Sequence, residues 1–135
     1  MKERQLTPQI QLRPCGFFKE FAYSEGDFQS VKAAVCDEPQ DDEQLVIAYL
    51  KNGHLFVISP GVNQDVIACD GSLASPSGIQ TDGVWMWPLE LAYYVKKYHL
   101  KLPSEFIAHL QANKWEVPFI SETTIAQICK RNFPD

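Results

Sequence analysis

Apolar and polar positions alternate most clearly in the middle of the chain, on either side of one Asp-Gly pair. Asp82-Gly83 joins the short runs Gly78–Thr81 and Val84–Trp87, and Asp-Gly favours a two-residue type I′ turn. Because strand side chains alternate, Trp85 and Trp87 should share one face. The pattern therefore predicts a tight antiparallel hairpin with both indoles on the same side.

A helical pattern begins directly after this hairpin. Pro88 cannot donate a hydrogen bond to a further strand, and its fixed φ suits the first turn of a helix. Apolar and aromatic residues then recur at helical spacing, at Leu91, Tyr94, Val95 and Tyr98. We expect an aromatic amphipathic helix that ends near Tyr98.

Three further helices are predicted from capping residues and apolar stripes. Asp27 can cap a helix of about three turns that ends at Cys36. Pro103 suits a first helical turn, and an apolar stripe continues from it to about Asn113. Ser121 can cap a last short helix, whose inward-facing residues should be Ile125, Ile128 and Cys129.

The segment between the first predicted helix and the central hairpin should supply further strands. Leu45–Leu50 is apolar at consecutive positions, which is typical of an interior strand covered on both faces. Asn52-Gly53 favours a second type I′ turn, so His54–Ile58 should return as the partner strand. The pattern also predicts an end to that strand at Ser59-Pro60-Gly61, a short strand at Val66–Cys69 and a small-residue loop at Ser72–Ser77.

Strands in the middle of the chain followed by helices predict an α+β fold. Because both predicted hairpins are antiparallel, we expect a single antiparallel β-sheet with helices packed mainly on one side. A chain of 135 residues can bury roughly two-thirds of its unfolded surface, so residues 1–135 should form a single domain.

Charge and hydropathy narrow the possible partners. Seventeen acidic and twelve basic residues give a net charge of -5, and the basic residues are scattered, which argues against nucleic acid as a partner. No window approaches the roughly twenty apolar residues of a membrane span, and the polar start does not resemble a signal peptide. The four widely spread cysteines indicate reduced thiols, so we expect a cytoplasmic protein that does not bind membranes.

The only cluster of charge is the run DEPQDDE at Asp37–Glu43, which we expect to be an exposed loop. It could be a solvated loop without a partner, or a surface that binds a basic protein. In the second case the binding carboxylates would be Asp37, Glu38, Asp41, Asp42 and Glu43.

No motif in the chain specifies a reaction. Phosphate-loop and dinucleotide fingerprints are absent, and the three histidines lack the spacing of a zinc site. We therefore expect no enzyme activity, no catalytic residues, no cofactor and no metal. An alternative is a small-molecule-binding protein or enzyme with a pocket between the hairpin and the following helix. That pocket would be lined by Trp85, Trp87, Tyr94 and Tyr98, with His99 or Glu90 as the titrating group, although core packing also explains these aromatic residues. A third interpretation, a scaffold in a larger assembly, predicts a self-complementary apolar surface.

Four strings carry a resemblance to a known group of proteins: YLKNG at 49–53, SPGVNQD at 59–65, TDGVWMWPLELAYYVKKY at 81–98 and LPSEFIAHLQANKWEVP at 102–118. Together they resemble small bacterial cytoplasmic proteins that we associate with immunity proteins of polymorphic toxin and contact-dependent growth-inhibition systems. The most specific part is T-D-G-x-W-x-W-P-x-x-L-A-Y-Y-V. The resemblance implies a protein that neutralises a cognate toxin, often a nuclease with a basic cleft, by occupying its active site or substrate groove. It assigns no binding residue.

Overall fold

The computed structural model describes residues 11–21 and 29–132, and its elements are as follows. The strands are β1 (Arg13–Pro14), β2 (His54–Gln64), β3 (Leu73–Thr81) and β4 (Trp85–Pro88). The α-helices are α1 (Glu43–Lys51), α2 (Leu91–Tyr98), α3 (Ser104–Ala112) and α4 (Glu122–Asn132), and a short 3-10 helix spans Val31–Ala34. Within these two ranges, every helix is too short or too polar to cross a bilayer.

The four strands form one mixed sheet in the order β1-β4-β3-β2. This arrangement confirms the α+β fold, but the prediction of a purely antiparallel sheet is wrong because β1 runs parallel to β4. The N–H of Arg13 donates to the carbonyl of Val84, and the N–H of Cys15 donates to the carbonyl of Met86, both at 2.9 Å. Pro14 has no N–H and lies in this short outer strand, which is where a sheet tolerates proline.

The central hairpin is confirmed, but its turn differs from the predicted one. β3 and β4 are antiparallel, and Thr81 pairs with Met86. Only Gly83 of the connection has a positive φ, of 98°, whereas a type I′ turn needs two such residues, so the two-residue turn is wrong. Asp82 instead accepts the N–H groups of Val84 and Trp85 at 3.0 and 2.8 Å, which fixes a three-residue connection.

The two indoles lie on the same buried face of β4, as predicted. Trp85 is 4% exposed and Trp87 is fully buried. Both rings contact Phe106 of α3, with centroid distances of 5.1 and 5.7 Å. The Trp87 Nε1–H donates to the carbonyl of Leu50 in α1 at 3.2 Å. These contacts hold α1 and α3 against the hairpin.

The segment predicted as the interior strand Leu45–Leu50 is helical, so that prediction is wrong. The buried positions of α1 include Glu43, Val46, Ile47 and Leu50, which follow the i, i+3, i+4, i+7 spacing of a helix face. Leu45 lies on the opposite face and is 42% exposed.

Asn52-Gly53 connects α1 to β2, so the predicted type I′ hairpin at this position is also wrong. Asn52 has a φ of -90° and its N–H still donates to the carbonyls of the last helical turn. β2 pairs with β3 and has no partner in the Leu45–Leu50 segment.

β2 does not end at Ser59-Pro60-Gly61, as the sequence predicted, but continues to Gln64. A register shift against β3 occurs between Ser59 and Val62, so the extra residues bulge out of the ladder. Gly61 in this bulge has a φ of +104°, a conformation that glycine adopts without steric cost.

The predicted strand at Val66–Cys69 is a turn, and the predicted loop at Ser72–Ser77 lies mostly in β3. Asp65 explains the turn because its carboxylate accepts the N–H groups of Ile67 and Ala68, both at 2.8 Å. The chain is thereby reversed immediately after β2, which leaves the small residues that follow free to pair with the bulged part of β2.

The three C-terminal helices agree with the predicted ones within a few residues. Ser121 caps α4 by accepting the Thr124 N–H at 3.2 Å, and Ile128 is fully buried. The predicted helix before the acidic run is wrong in its described part: only the 3-10 turn exists there, Ser30 caps it, and Val35 is already extended. The predicted cap, Asp27, lies outside the described residues.

Candidate functional site

The acidic run forms the loop between the 3-10 turn and α1. Four of its carboxylate residues are exposed: Asp37, Glu38, Asp41 and Asp42. None of these four carboxylates takes part in an ion pair within residues 11–21 and 29–132. The loop has some internal order, since the Gln40 side-chain amide donates to the carbonyl of Glu38 at 3.2 Å. The four residues, called the acidic loop below, therefore present negative charge that no described cation pairs with.

Glu43 belongs to the same run in sequence but not to the same surface. It is the first residue of α1 and is only 7% exposed. Its Oε2 lies 2.9 Å from Nδ1 of His99, which ends α2 in a left-handed conformation. This contact joins the start of α1 to the end of α2, so Glu43 connects two helices rather than facing solvent with the acidic loop.

A cavity of about 340 Å³ lies beside the acidic loop, between α1, α3 and the chain that follows α2. Its apolar wall includes Val46, Ile107 and Ala108. Its polar lining includes Asp41 from the acidic loop and Lys101 from the connection between α2 and α3. We call this space the α1–α3 cavity. The sequence alone did not predict it, because its walls come from three separate segments.

The four aromatic residues proposed as pocket walls are divided between two places. Trp85 and Trp87 surround Phe106, as described above. Tyr94 is fully buried and stacks on Tyr98, with 5.8 Å between centroids. Its hydroxyl accepts the N–H of Val66 at 2.9 Å, and burial raises its pKa to about 12. These contacts fill the space around the rings and hold α2 against the turn after β2.

The two titrating residues proposed for that pocket lie at opposite ends of α2. Glu90 precedes the helix and His99 follows it, and eight helical residues span about 12 Å. Glu90 is 2% exposed, and its Oε1 accepts a hydrogen bond from the Asn63 amide at 3.0 Å. Burial raises the pKa of Glu90 to about 7. The distance between them prevents direct proton transfer from one to the other.

A buried polar cluster around Asp82 was not predicted. Its Oδ2 accepts the Tyr49 hydroxyl at 2.6 Å and lies 2.8 Å from Nε2 of His109. Asn113 also donates to the Tyr49 hydroxyl, at 2.9 Å. Burial opposes ionisation of Asp82, but the contacts with His109, the Trp85 N–H and Tyr49 outweigh it and lower its pKa. All these groups partner one another, so the cluster ties α1 and α3 to the hairpin turn.

The Cys15 thiol near this cluster is not activated as a nucleophile. Cys15 is the thiol whose pKa responds to Asp82, and burial together with that negative charge raises its pKa far above the usual range. A thiol in this state is a poor nucleophile, because the thiolate is the reactive form. Among the described residues, no three histidine, cysteine, aspartate or glutamate side chains are grouped so as to hold a metal ion.

Another buried carboxylate, that of Asp65, anchors α2. Its Oδ2 accepts the hydroxyls of Tyr93 and Tyr98, both at 2.7 Å, and lies 3.2 Å from Nζ of Lys97. Burial opposes ionisation, but hydrogen bonds from the Ala68 N–H, the Tyr98 and Tyr93 hydroxyls and the Ile67 N–H outweigh it and lower the pKa of Asp65. The spacing of Tyr93, Lys97 and Tyr98 on one helix could have indicated this contact, but nothing in the sequence indicated its partner.

Comparison with known proteins gives no match to this chain, whether to a protein-family model, a curated protein or a solved structure. The resemblance to immunity proteins therefore stays a prediction.

Proposed function

We propose that this protein is an immunity protein of a polymorphic toxin system, which binds a cognate toxin in the cytoplasm and neutralises it without catalysing a reaction. The observation that carries this proposal is the acidic loop, where four carboxylates lie within six residues and have no described cationic partner. The resemblance of residues 49–118 to immunity proteins supports the same class of function.

Asp42 begins α1, where its backbone carbonyl accepts the N–H groups of Leu45 and Val46, but the side chains of the acidic loop form no ion pair among the described residues. Their like charges lie within a short segment, and exposed charges interact over a Debye length of about 8 Å at physiological ionic strength. They therefore repel one another, and this repulsion opposes the favourable effect of carboxylates near the N-terminus of a helix. A basic partner would turn this repulsion into attraction, and such steering raises association rates by roughly 10- to 1,000-fold.

The partner that fits this surface is a toxin domain with a basic groove, such as a nuclease that binds the phosphates of its substrate there. The acidic loop would occupy the groove in place of the nucleic acid and thereby block it. The buried aromatic residues would act as a scaffold for α1, and the contact between Glu43 and His99 would keep the start of that helix, and hence the loop, in a fixed position.

Growth rescue tests this proposal. Each polypeptide encoded beside this chain in its genome is expressed in a bacterial host, alone and together with the chain. We expect one of these polypeptides to be toxic alone and harmless in the presence of the chain. A variant in which Asp37, Asp41 and Asp42 become Asn and Glu38 becomes Gln should rescue less well at equal protein levels. If none of the encoded neighbours is toxic, or if the chain rescues none that is, the proposal is wrong.

A further inference from the structure

We propose that the α1–α3 cavity receives one basic side chain of the partner, an arginine or a lysine, and that Asp41 selects its charge. This inference rests on the proposed function, because it names the contact by which the toxin would be held.

The lining of the cavity suits a long cationic side chain. Its volume of about 340 Å³ is at the lower end of the 300–1,000 Å³ typical of small-molecule sites. Val46 of α1 and Ile107 of α3 provide apolar surface on either side. Arginine and lysine bury their methylene stems against such surface while the charged head stays near water. A lining that combines Val46 and Ile107 with the carboxylate of Asp41 therefore matches this type of side chain.

The charges around the cavity favour a cation. Asp41 is exposed, lines the cavity and takes part in none of the ion pairs found in the described ranges. Glu43 also lines it, although its carboxylate already contacts His99. Lys101 is the opposing positive charge. The rest of the acidic loop adds negative charge next to Asp41, so a guanidinium should be attracted and a carboxylate repelled.

A peptide titration tests the cavity without the toxin. The full-length ¹⁵N-labelled chain is titrated with the peptide acetyl-Gly-Arg-Gly-amide and with peptides that carry norleucine or glutamate instead of arginine. We expect saturable amide shifts at Val46, Ile107 and Ala108, with a dissociation constant in the millimolar range. The norleucine peptide should bind at least fivefold more weakly and the glutamate peptide should not bind. Equal binding of the arginine and norleucine peptides, or shifts elsewhere only, would overturn the inference.

Two pairs of variants locate the contact. Ala108→Trp should fill the cavity and abolish binding of the arginine peptide, whereas Ala48→Trp, at an exposed position of α1 outside the cavity lining, should not. Asp41→Asn should weaken binding about fivefold, and Asp37→Asn should change it less than twofold. Binding that survives Ala108→Trp in a variant with native-like amide spectra would also overturn the inference.

The same variants separate this inference from the proposed function. If the chain neutralises a toxin and Ala108→Trp binds that toxin at least 100-fold more weakly than Ala48→Trp does, the proposed function and the role of the cavity are both supported. If Ala108→Trp protects and binds as well as Ala48→Trp, the chain is an immunity protein but the cavity is not its contact. If the chain protects against no encoded neighbour, the proposed function fails, and the peptide titration still decides whether the cavity binds a basic side chain.

Discussion

Replacing Asp82 by Asn should destabilise the fold strongly, although it changes only one oxygen of the carboxylate into an NH₂ group. The carboxylate is buried, and its four hydrogen-bond partners come from three elements. Asn keeps one carbonyl oxygen, which can still accept the N–H groups of Val84 and Trp85. Its amide nitrogen, however, would face the Tyr49 hydroxyl and His109, where the carboxylate had accepted hydrogen bonds.

The magnitude follows from the two contacts that are lost. A hydrogen bond to a charged group contributes about 1.5–3 kcal/mol. Two such contacts are lost, and the Tyr49 hydroxyl and the His109 ring stay largely buried without their acceptor. We therefore expect Asp82→Asn to lower the free energy of unfolding by about 3–5 kcal/mol. For a chain of this length, that corresponds to a fall in Tm of roughly 10–20 °C.

Urea unfolding at pH 7, monitored by tryptophan fluorescence, measures this loss. Asp70→Asn is the matched control, because Asp70 also accepts a backbone N–H, from Ser72 at 3.0 Å, but is exposed. Its effect should stay below about 1 kcal/mol. A double-mutant cycle of Asp82→Asn with His109→Gln should give a coupling energy of at least about 1 kcal/mol. If Asp82→Asn costs no more than Asp70→Asn, the buried cluster does not hold α1 and α3 to the hairpin.

Three further predictions follow from other buried groups. Burial raises the pKa of Glu90 to about 7, so the stabilisation from this group is fully present below the unfolded pKa of about 4.3 and is lost as the pH rises through 7. Glu90→Gln should therefore raise the Tm at pH 8 but not at pH 4, and equal changes in Tm at both pH values would contradict this prediction. The pKa of Asp65 is lowered, so the stabilisation from its carboxylate is present above about pH 4 and is lost as the pH falls. Between pH 6 and pH 2.5, the free energy of unfolding of Asp65→Asn should therefore fall less than that of the native chain. An equal fall for both proteins in urea denaturation would count against this prediction. A Cβ on Gly78 would lie 2.6 Å from the backbone oxygen of Val57, so Gly78→Ala should cost about 1–3 kcal/mol in urea unfolding, and a neutral result would show that β2 and β3 can separate at this point.

The sequence predicted the elements whose local signals and tertiary contacts agree. In the central hairpin, alternation placed both indoles on one face, and they are buried there. α3 and α4 were predicted because Pro103 and Ser121 mark their starts and an apolar stripe follows each. The apolar stripe of α2 was also predicted, but its start at Pro88 was wrong, because Pro88 is the last residue of β4 and α2 begins at Leu91. Ser121, for example, both ends the preceding connector and caps α4.

The sequence failed where an apolar run has two interpretations. Leu45–Leu50 is apolar enough for a buried strand, and its six residues are too few to show the helical period clearly. The burial of Glu43, which extends the buried face of α1 by one turn, could not be predicted from a charged residue. That burial depends on His99, 56 residues away. Similarly, the small residues in the first half of Leu73–Thr81 are typical of a loop. They form a strand because β2 bulges between Ser59 and Val62, so that Val62 pairs with Pro76 of β3.

The candidate site was predictable only in part. The acidic run itself signalled exposure and charge, and four of its five carboxylates are exposed. The α1–α3 cavity and the Asp82 cluster could not be predicted, because each depends on residues that only the packing of separate helices brings together.

The rate constant for association of the chain with the toxin that growth rescue identifies is the most direct test of the proposed recognition. It should be measured by stopped flow at low and at physiological ionic strength, for the native chain and for two variants with the same change in net charge. One variant neutralises Asp37, Glu38, Asp41 and Asp42. The control neutralises four exposed carboxylates elsewhere, at Asp70, Glu105, Glu116 and Glu122.

We expect the acidic-loop variant to associate at least tenfold more slowly at low salt and to lose most of its salt dependence, while the control stays within about threefold of the native chain. Equal rates for the two variants would contradict recognition through the acidic loop.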